Sequence, residues 1–205
     1  YTETCQLVVR ADSDIQTLDD LSGHTVSIGA KESGTERNAS QILEFAGMPS
    51  SLVATKNLDY IEATKELKAG DIDAFFCTAG LTTTVIDELS KECDIRLIPL
   101  TDTVISKMLE SSSAYTSEVI PAGTYTGQTT DISTIGVKSV LITKSDVSDD
   151  TIEQLTSLLF EKENELSYSN SLKLELTYDF ATGDIPIPFH KGAKRYYEDC
   201  GYSAN

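Results

Sequence analysis

Ser33-Gly34-Thr35 is the segment whose residue types and spacing best fit ligand chemistry. It lies between an apolar stretch, Thr25–Gly29, and a run with apolar residues at Ala39, Ile42, Leu43 and Ala46. That i, i+3, i+4, i+7 spacing predicts a helix over 35–46, stopped by Gly47 and Pro49. The first amides of a helix lack intrahelical acceptors and the helix dipole adds partial positive charge, so a carboxylate or phosphate is favoured there. Gly34 permits close approach to the backbone, and the two hydroxyls add donors. A second reading is open: Ser33-x-x-Glu36 fits a capping box, which would commit the serine to its own helix. Gly29 to Thr35 also resembles half of a phosphate loop. Thr35 stands where the lysine should follow the second glycine, which argues against a nucleotide hydrolase.

Two further groups are candidates for the same ligand. Thr78-Ala79-Gly80 follows a predicted strand, Ile72–Cys77, and ligands of parallel sheets sit beyond the carboxyl ends of strands. A plain strand-to-helix turn is the alternative. Thr124, Tyr125 and Gln128 lie in the turn-rich stretch Pro121–Gly127 and just after it. A tyrosine offers a flat apolar face with a phenolic hydrogen bond, and a glutamine reads amides or carboxylates. Tyr125 has the alternative of simple packing. Arg10 can grip a carboxylate in a bidentate way or form an internal ion pair, and Lys31 is equally open. His190, with no nucleophile near it in sequence, reads as a structural hydrogen-bonder. There is no G-x-S-x-G nucleophile elbow, and the carboxylates show no marked spacing.

The elements that must position these residues alternate. Strands are expected at Cys5–Arg10, Thr25–Gly29, Leu52–Ala54, Ile72–Cys77 and Ile95–Leu100. Helices are expected after Thr35, after the Asp59-x-x-Glu62 capping box and around Val85–Cys93 and Val104–Leu109. This alternation predicts a mostly parallel sheet covered on both faces. After Tyr115 come β-like Ser117–Ile120, a long β-run at Thr134–Thr143, and a helix capped by Ser148 with Ile152, Leu155, Leu159 and Leu166 along one side. The order predicts one complete α/β lobe at 24–120. Residues 1–23 form the end of another lobe and a first crossing, and 121–205 form a return crossing and that lobe's C-terminal part. Two strands cannot build an independent sheet, so apolar surface is expected at Leu7, Val9, Val140 and Ile142, open to self-association.

Composition narrows the function. Sixteen Lys and Arg against 33 Asp and Glu give a net charge of −17, which disfavours nucleic acid as a partner. Four cysteines at 5, 77, 93 and 200 form no CxxC, so a zinc site is not expected, while disulfides are permitted. No apolar run reaches the roughly 20 residues of a membrane helix. Tyr1 leads straight into strand-like Cys5–Val9, the mark of a processed or trimmed piece.

Several segments in order resemble the TAXI family of solute receptors, which serve TRAP-type transporters. They are Leu7-Val-Val-Arg-Ala-Asp-Ser13 with Leu18-Asp-Asp-Leu-Ser-Gly23, Ser33-Gly-Thr-Glu36, Leu67–Phe76 with Ala79-Gly80, Ile120–Gln128, and Pro188-Phe-His-Lys-Gly-Ala-Lys-Arg-Tyr-Tyr197. Members of that family carry a further stretch before the Val-Val-Arg segment that builds most of the first lobe. The resemblance implies a type II periplasmic-binding-protein-like fold and an extracytoplasmic receptor, in the periplasm or lipid-anchored at the outer face of the membrane. It implies capture of a small organic anion, glutamate-like or a dicarboxylate, for a TRAP-type transporter, without a cofactor, a metal or catalysis. The competing reading is an enzyme on the same two-lobed plan, of deaminase or transferase type. A third, an effector-sensing module, lacks a basic DNA-reading segment.

Overall fold

The computed structural model describes residues 1–163 and 176–204. The chain divides into two compact units, Thr2–Val137 and Tyr1 with Lys138–Asn205. In the larger unit the strands are β1 (Thr2–Arg10), β2 (Thr25–Ser27), β3 (Ala54–Lys56), β4 (Ala74–Ala79), β5 (Ile95–Leu97), β6 (Tyr115–Ile120) and β7 (Ile132–Lys138). The helices are α1 (Gly34–Phe45), α2 (Tyr60–Ala69), α3 (Thr84–Glu92) and α4 (Asp102–Ser111), with a short 3-10 turn at Asp19–Leu21.

The strands form one sheet in the order β3-β2-β4-β1-β7-β6, and β5 also pairs with β1. β2 is parallel to β3 and β4, while β4 and β5 both run antiparallel to β1. β2, β3, β4 and β5 therefore share one direction, with β1 threaded against them. Alternation along the strands sends side chains to two cores. Cys5, Leu7 and Val9 of β1 and Ala74 and Phe76 of β4 join Ala39, Ile42 and Leu43 of α1 and Val104, Ile105 and Met108 of α4. Val8, Phe75 and Cys77 join Ala63 and Leu67 of α2 and Ile86 and Leu89 of α3. Both faces are covered, as a parallel sheet requires.

The helix ends follow the local chemistry. Asp59 accepts from the Glu62 amide and the Glu62 carboxylate returns to the Asp59 amide, the capping box expected there. Gly70 closes α2 with φ +83, a left-handed conformation suited to glycine.

Three expectations are altered. Residues 1–23 and 121–137 fold with 24–120, and the chain passes between units at Tyr1–Thr2 and Val137–Lys138. The cause is β1, whose Thr4–Val9 pairs with β4 on one edge while Val8–Arg10 pairs with β5 on the other. Leu7 and Val9 are consequently buried, whereas Val140 and Ile142 are exposed, as expected. The long β-run stops at Lys138, leaving Leu141 and Ile142 70% and 72% exposed. Apolar β-formers make a strand only where a ladder and a packing surface receive them.

In the smaller unit α5 spans Asp149–Glu161, α6 Tyr178–Thr182 and α7 Lys191–Asp199. Ser148 caps α5 by accepting from the Thr151 amide. Ile152 is buried and Leu155 is 41% exposed, while Leu166 lies outside the described residues. Gly192 brings α7 close to α5, since a Cβ there would lie 2.1 Å from the Asp149 carbonyl oxygen. Phe160, Tyr178 and Tyr202 stack in sequence, with centroid separations of 4.5 and 4.7 Å.

Candidate functional site

α1 begins at Gly34, directly after Ser33 and one residue before the expected start at Thr35. The serine has extended backbone, and its hydroxyl accepts from the Glu36 amide at 3.1 Å. The reciprocal half of a capping box is missing. The Glu36 carboxylate takes the Glu32 amide and the Asn57 side-chain amide instead. The Ser33 proton and the amides of Gly34 and Thr35 therefore have no acceptor among the described residues. Gly34 is exposed and Thr35 is 4% exposed. The approach to this turn is shaped by Gly29, at φ +95, where a Cβ would come within 2.7 Å of the Thr35 Cβ. Glu32 also has positive φ, 63°, and the turn around it closes with the Ser33 amide on the Ala30 carbonyl at 3.1 Å.

Thr35 is tied to the tip of β4 by a residue that sequence reasoning missed. Its hydroxyl meets the Tyr60 hydroxyl at 2.6 Å. Tyr60 in turn donates to the Thr78 carbonyl at 2.9 Å and receives the Thr78 amide at 3.3 Å. Burial raises the Tyr60 pKa above the ordinary phenol value, so it acts as a neutral hydroxyl. Asn38, one turn along α1, donates to the Thr78 hydroxyl at 3.4 Å and accepts from Tyr115 at 3.0 Å. Asn38 could have been found: it continues the buried stripe of Ile42 one turn earlier, where an apolar residue belongs.

The candidates from the 121–128 segment reach the same place from the other face of the sheet. Tyr125 is 3% exposed; its hydroxyl donates to Gln6 and receives the Thr83 amide at 3.1 Å. The Gln6 amide donates to the Thr83 hydroxyl at 2.8 Å, which donates to the Gly80 carbonyl at 2.9 Å. Burial again lifts the phenol pKa. Thr124 donates to the Pro121 carbonyl at 2.7 Å. The Gln128 amide donates to the carbonyls of Ile120, Pro121 and Thr130, and its oxygen accepts from the Tyr125 amide. Those bonds hold the turn together. Gln6 and Thr83 also escaped sequence reading. A polar residue between the strand residues Cys5 and Leu7 was the available signal.

All three candidate groups thus converge on Thr78, Ala79 and Gly80. Thr78 and Gly80 are buried, and Ala79, the last residue of β4, pairs with Thr4. The described groups there are hydroxyls, amides and the Cys5 thiol, whose pKa burial pushes up to about 12. Arg10 takes its internal alternative, pairing with Asp12 at 3.0 Å and the Leu67 carbonyl. Lys31 and Arg37, either side of the α1 entry, are exposed and have no carboxylate within 4.0 Å among the described residues. His190 caps α7, its Nδ1 accepting from the Gly192 amide at 3.1 Å. All four cysteines are free.

This architecture, with a reversed strand threaded through a doubly covered sheet, is type II periplasmic-binding-protein-like, as the sequence resemblance implied. It is similar to the periplasmic aliphatic sulphonate binding protein SsuA from Escherichia coli, with TM-score 0.50 and 15% identity over 95% of this chain and 51% of that one. Likenesses also extend to a putative L-cystine ABC transporter protein from Listeria monocytogenes (TM-score 0.47, 15% identity, 82% of this chain, 58% of that one) and to a mutant of ArgBP from T. maritima (0.44, 20%, 82%, 56%). The chain spans a little over half the length of these structures. Residues 1–201 match the NMT1-like family, and the chain belongs to it.

Proposed function

We propose that the chain is the greater part of an extracytoplasmic solute-binding receptor that holds a small organic anion at the entry to α1. The observation that carries this reading is the set of donors there without an acceptor among the described residues: the Gly34 and Thr35 amides and the Ser33 hydroxyl proton, with Lys31 and Arg37 likewise lacking a carboxylate partner among those residues. Family membership and a fold shared with a periplasmic binding protein support it. No helix among the described residues is long and apolar enough to cross a membrane. The ordered motifs resembling TAXI receptors favour a TRAP-type partner and a glutamate-like or dicarboxylate ligand. In this reading Thr78, Ala79 and Gly80 form the floor of the site. Thr124, Tyr125 and Gln128 contribute through the Tyr125 ring and the turn they hold.

The test is calorimetry and thermal-shift screening of the protein against amino-acid, dicarboxylate, 2-oxo acid and sulfonate panels. A ligand that binds only the native state at 100 times its Kd adds about 2.7 kcal/mol of stability. Absence of heat and of any shift across the panel would overturn the reading.

A further inference from the structure

Proton accounting around Tyr60 says more about the ligand. β2 stops pairing with β4 at Ser27 and Phe75. Three residues on, the Tyr60 hydroxyl serves both the carbonyl and the amide of Thr78, at 2.9 and 3.3 Å, where a neighbouring strand would otherwise do so. A phenol has one proton and a carbonyl has none to give, so the Tyr60 proton lies on the Thr78 oxygen. The opposite arrangement would leave an acceptor unpaired in a residue 8% exposed, and is disfavoured by roughly tenfold or more. The 2.6 Å contact between Thr35 and Tyr60 is then bridged by the threonine's own proton. Thr35 offers lone pairs only. Ser33, whose hydroxyl accepts from the Glu36 amide and makes no other bond among the described residues, keeps its proton free.

We propose that Tyr60 is a specificity-determining residue: by taking the Thr35 proton it makes the site demand a hydrogen-bond donor on the ligand beside its anionic head. This deepens the anion-receptor reading and rests on it. The anionic group lies on the Gly34 and Thr35 amides and the Ser33 proton. A hydroxyl, amine or amide on the adjacent carbon donates to the Thr35 oxygen. The class selected is hydroxy- or amino-substituted organic anions, and anions bearing acceptors only are rejected.

Titration calorimetry with the matched pairs L-malate against succinate and L-glutamate against glutarate tests this in wild type, Tyr60→Phe and Thr35→Val. Wild type is expected to prefer the donor-bearing member of a pair by about fivefold or more. Tyr60→Phe returns the proton to Thr35 and should erase or reverse the preference. Thr35→Val, close in shape, removes the acceptor and should erase the preference. The second variant keeps the test open if loss of the Tyr60 hydroxyl impairs folding. Equal binding of both members by wild type, or an equal loss for both in Tyr60→Phe, would overturn the proposal while the anion-receptor reading stood. If no member of either pair bound wild type while other anions of the panel did, this proposal alone would fall. Binding of no anion at all would remove both.

Discussion

Replacing Gly34 by proline isolates the chemical claim at the α1 entry. Gly34 is the first residue of the helix, and a Cβ built there has nothing within 4 Å. Proline is well suited to that position because its amide would have no intrahelical acceptor and its φ is already helical. Ser33, at φ −81 and ψ 161, already has the extended conformation that a following proline requires. The substitution therefore removes one amide proton and little else. Stability should hold or rise by about 0.4–1 kcal/mol, because the unfolded chain loses freedom at that residue. A hydrogen bond from that amide to a charged group is worth about 1.5–3 kcal/mol, so anion affinity should fall by roughly 10- to 150-fold. Gly34→Ala is the control: it keeps the amide, adds a methyl group in open space, and should bind within about threefold of wild type if the added bulk costs under about 0.7 kcal/mol. Urea denaturation gives the first quantity and titration calorimetry the second. Equal affinities for the proline and alanine variants would refute the assignment of that amide to the ligand.

Gly29→Ala should destabilise the larger unit by about 2–4 kcal/mol, combining a left-handed backbone with a Cβ 2.7 Å from that of Thr35; a loss under 0.5 kcal/mol in urea, on the order of a surface substitution, would contradict the packing. Tyr125→Phe should cost about 1–3 kcal/mol by leaving Gln6 and the Thr83 amide without their buried partner. It should leave ligand affinity unchanged if only the hydroxyl's structural role is in use. Burial raises the Cys5 thiol from 9.0 to about 12 and raises Cys77 as well. The native state thus holds protons that the unfolded chain releases, so stability should be complete below about pH 9 and fall between pH 9 and 12. An alkylating reagent at pH 8 should modify exposed Cys200 and half-buried Cys93 while native Cys5 and Cys77 stay protected, a pattern that mass spectrometry reads directly.

The regular parts of the fold were legible because their signals are local. The α1 stripe, the Asp59–Glu62 capping box and the Gly70 stop each follow from residues within two turns of one another. What escaped depends on partners far apart in sequence. Thr35 reads as an open hydroxyl until Tyr60, 25 residues on, meets it at 2.6 Å. Tyr125 reads as having a free phenolic hydroxyl until Gln6, 119 residues earlier, meets it. The place of β1 was misjudged for the same reason. Its nearly unbroken apolar run from Leu7 to Val9 fits a strand at a lobe's end as well as one paired on both edges, and only the registers with β4 and β5 decide between them.

The proposed reading sets an anion on a chain of net charge −17, and the local arrangement shows how the two could coexist. Exposed charges lose their reach beyond about 8 Å at physiological ionic strength, so the groups within that distance of the ligand decide the binding. At the α1 entry the Glu36 carboxylate has both oxygens engaged, one by the Glu32 amide and one by the Asn57 side-chain amide. Those bonds turn its acceptors away from the guest and draw its charge into the loop. Among the described residues Lys31 and Arg37 have no carboxylate partner, and the Gly34 and Thr35 amides have no acceptor. The acidic exterior and the proposed anion site at this turn are therefore compatible, and the compatibility has a cause that can be removed. Asn57→Leu frees one Glu36 oxygen to face the ligand, and anion affinity should drop by about three- to tenfold, with a stronger dependence on salt than wild type shows. An unchanged affinity would mean that Glu36 is too far from the bound anion to matter, and that the α1 entry lies away from the site.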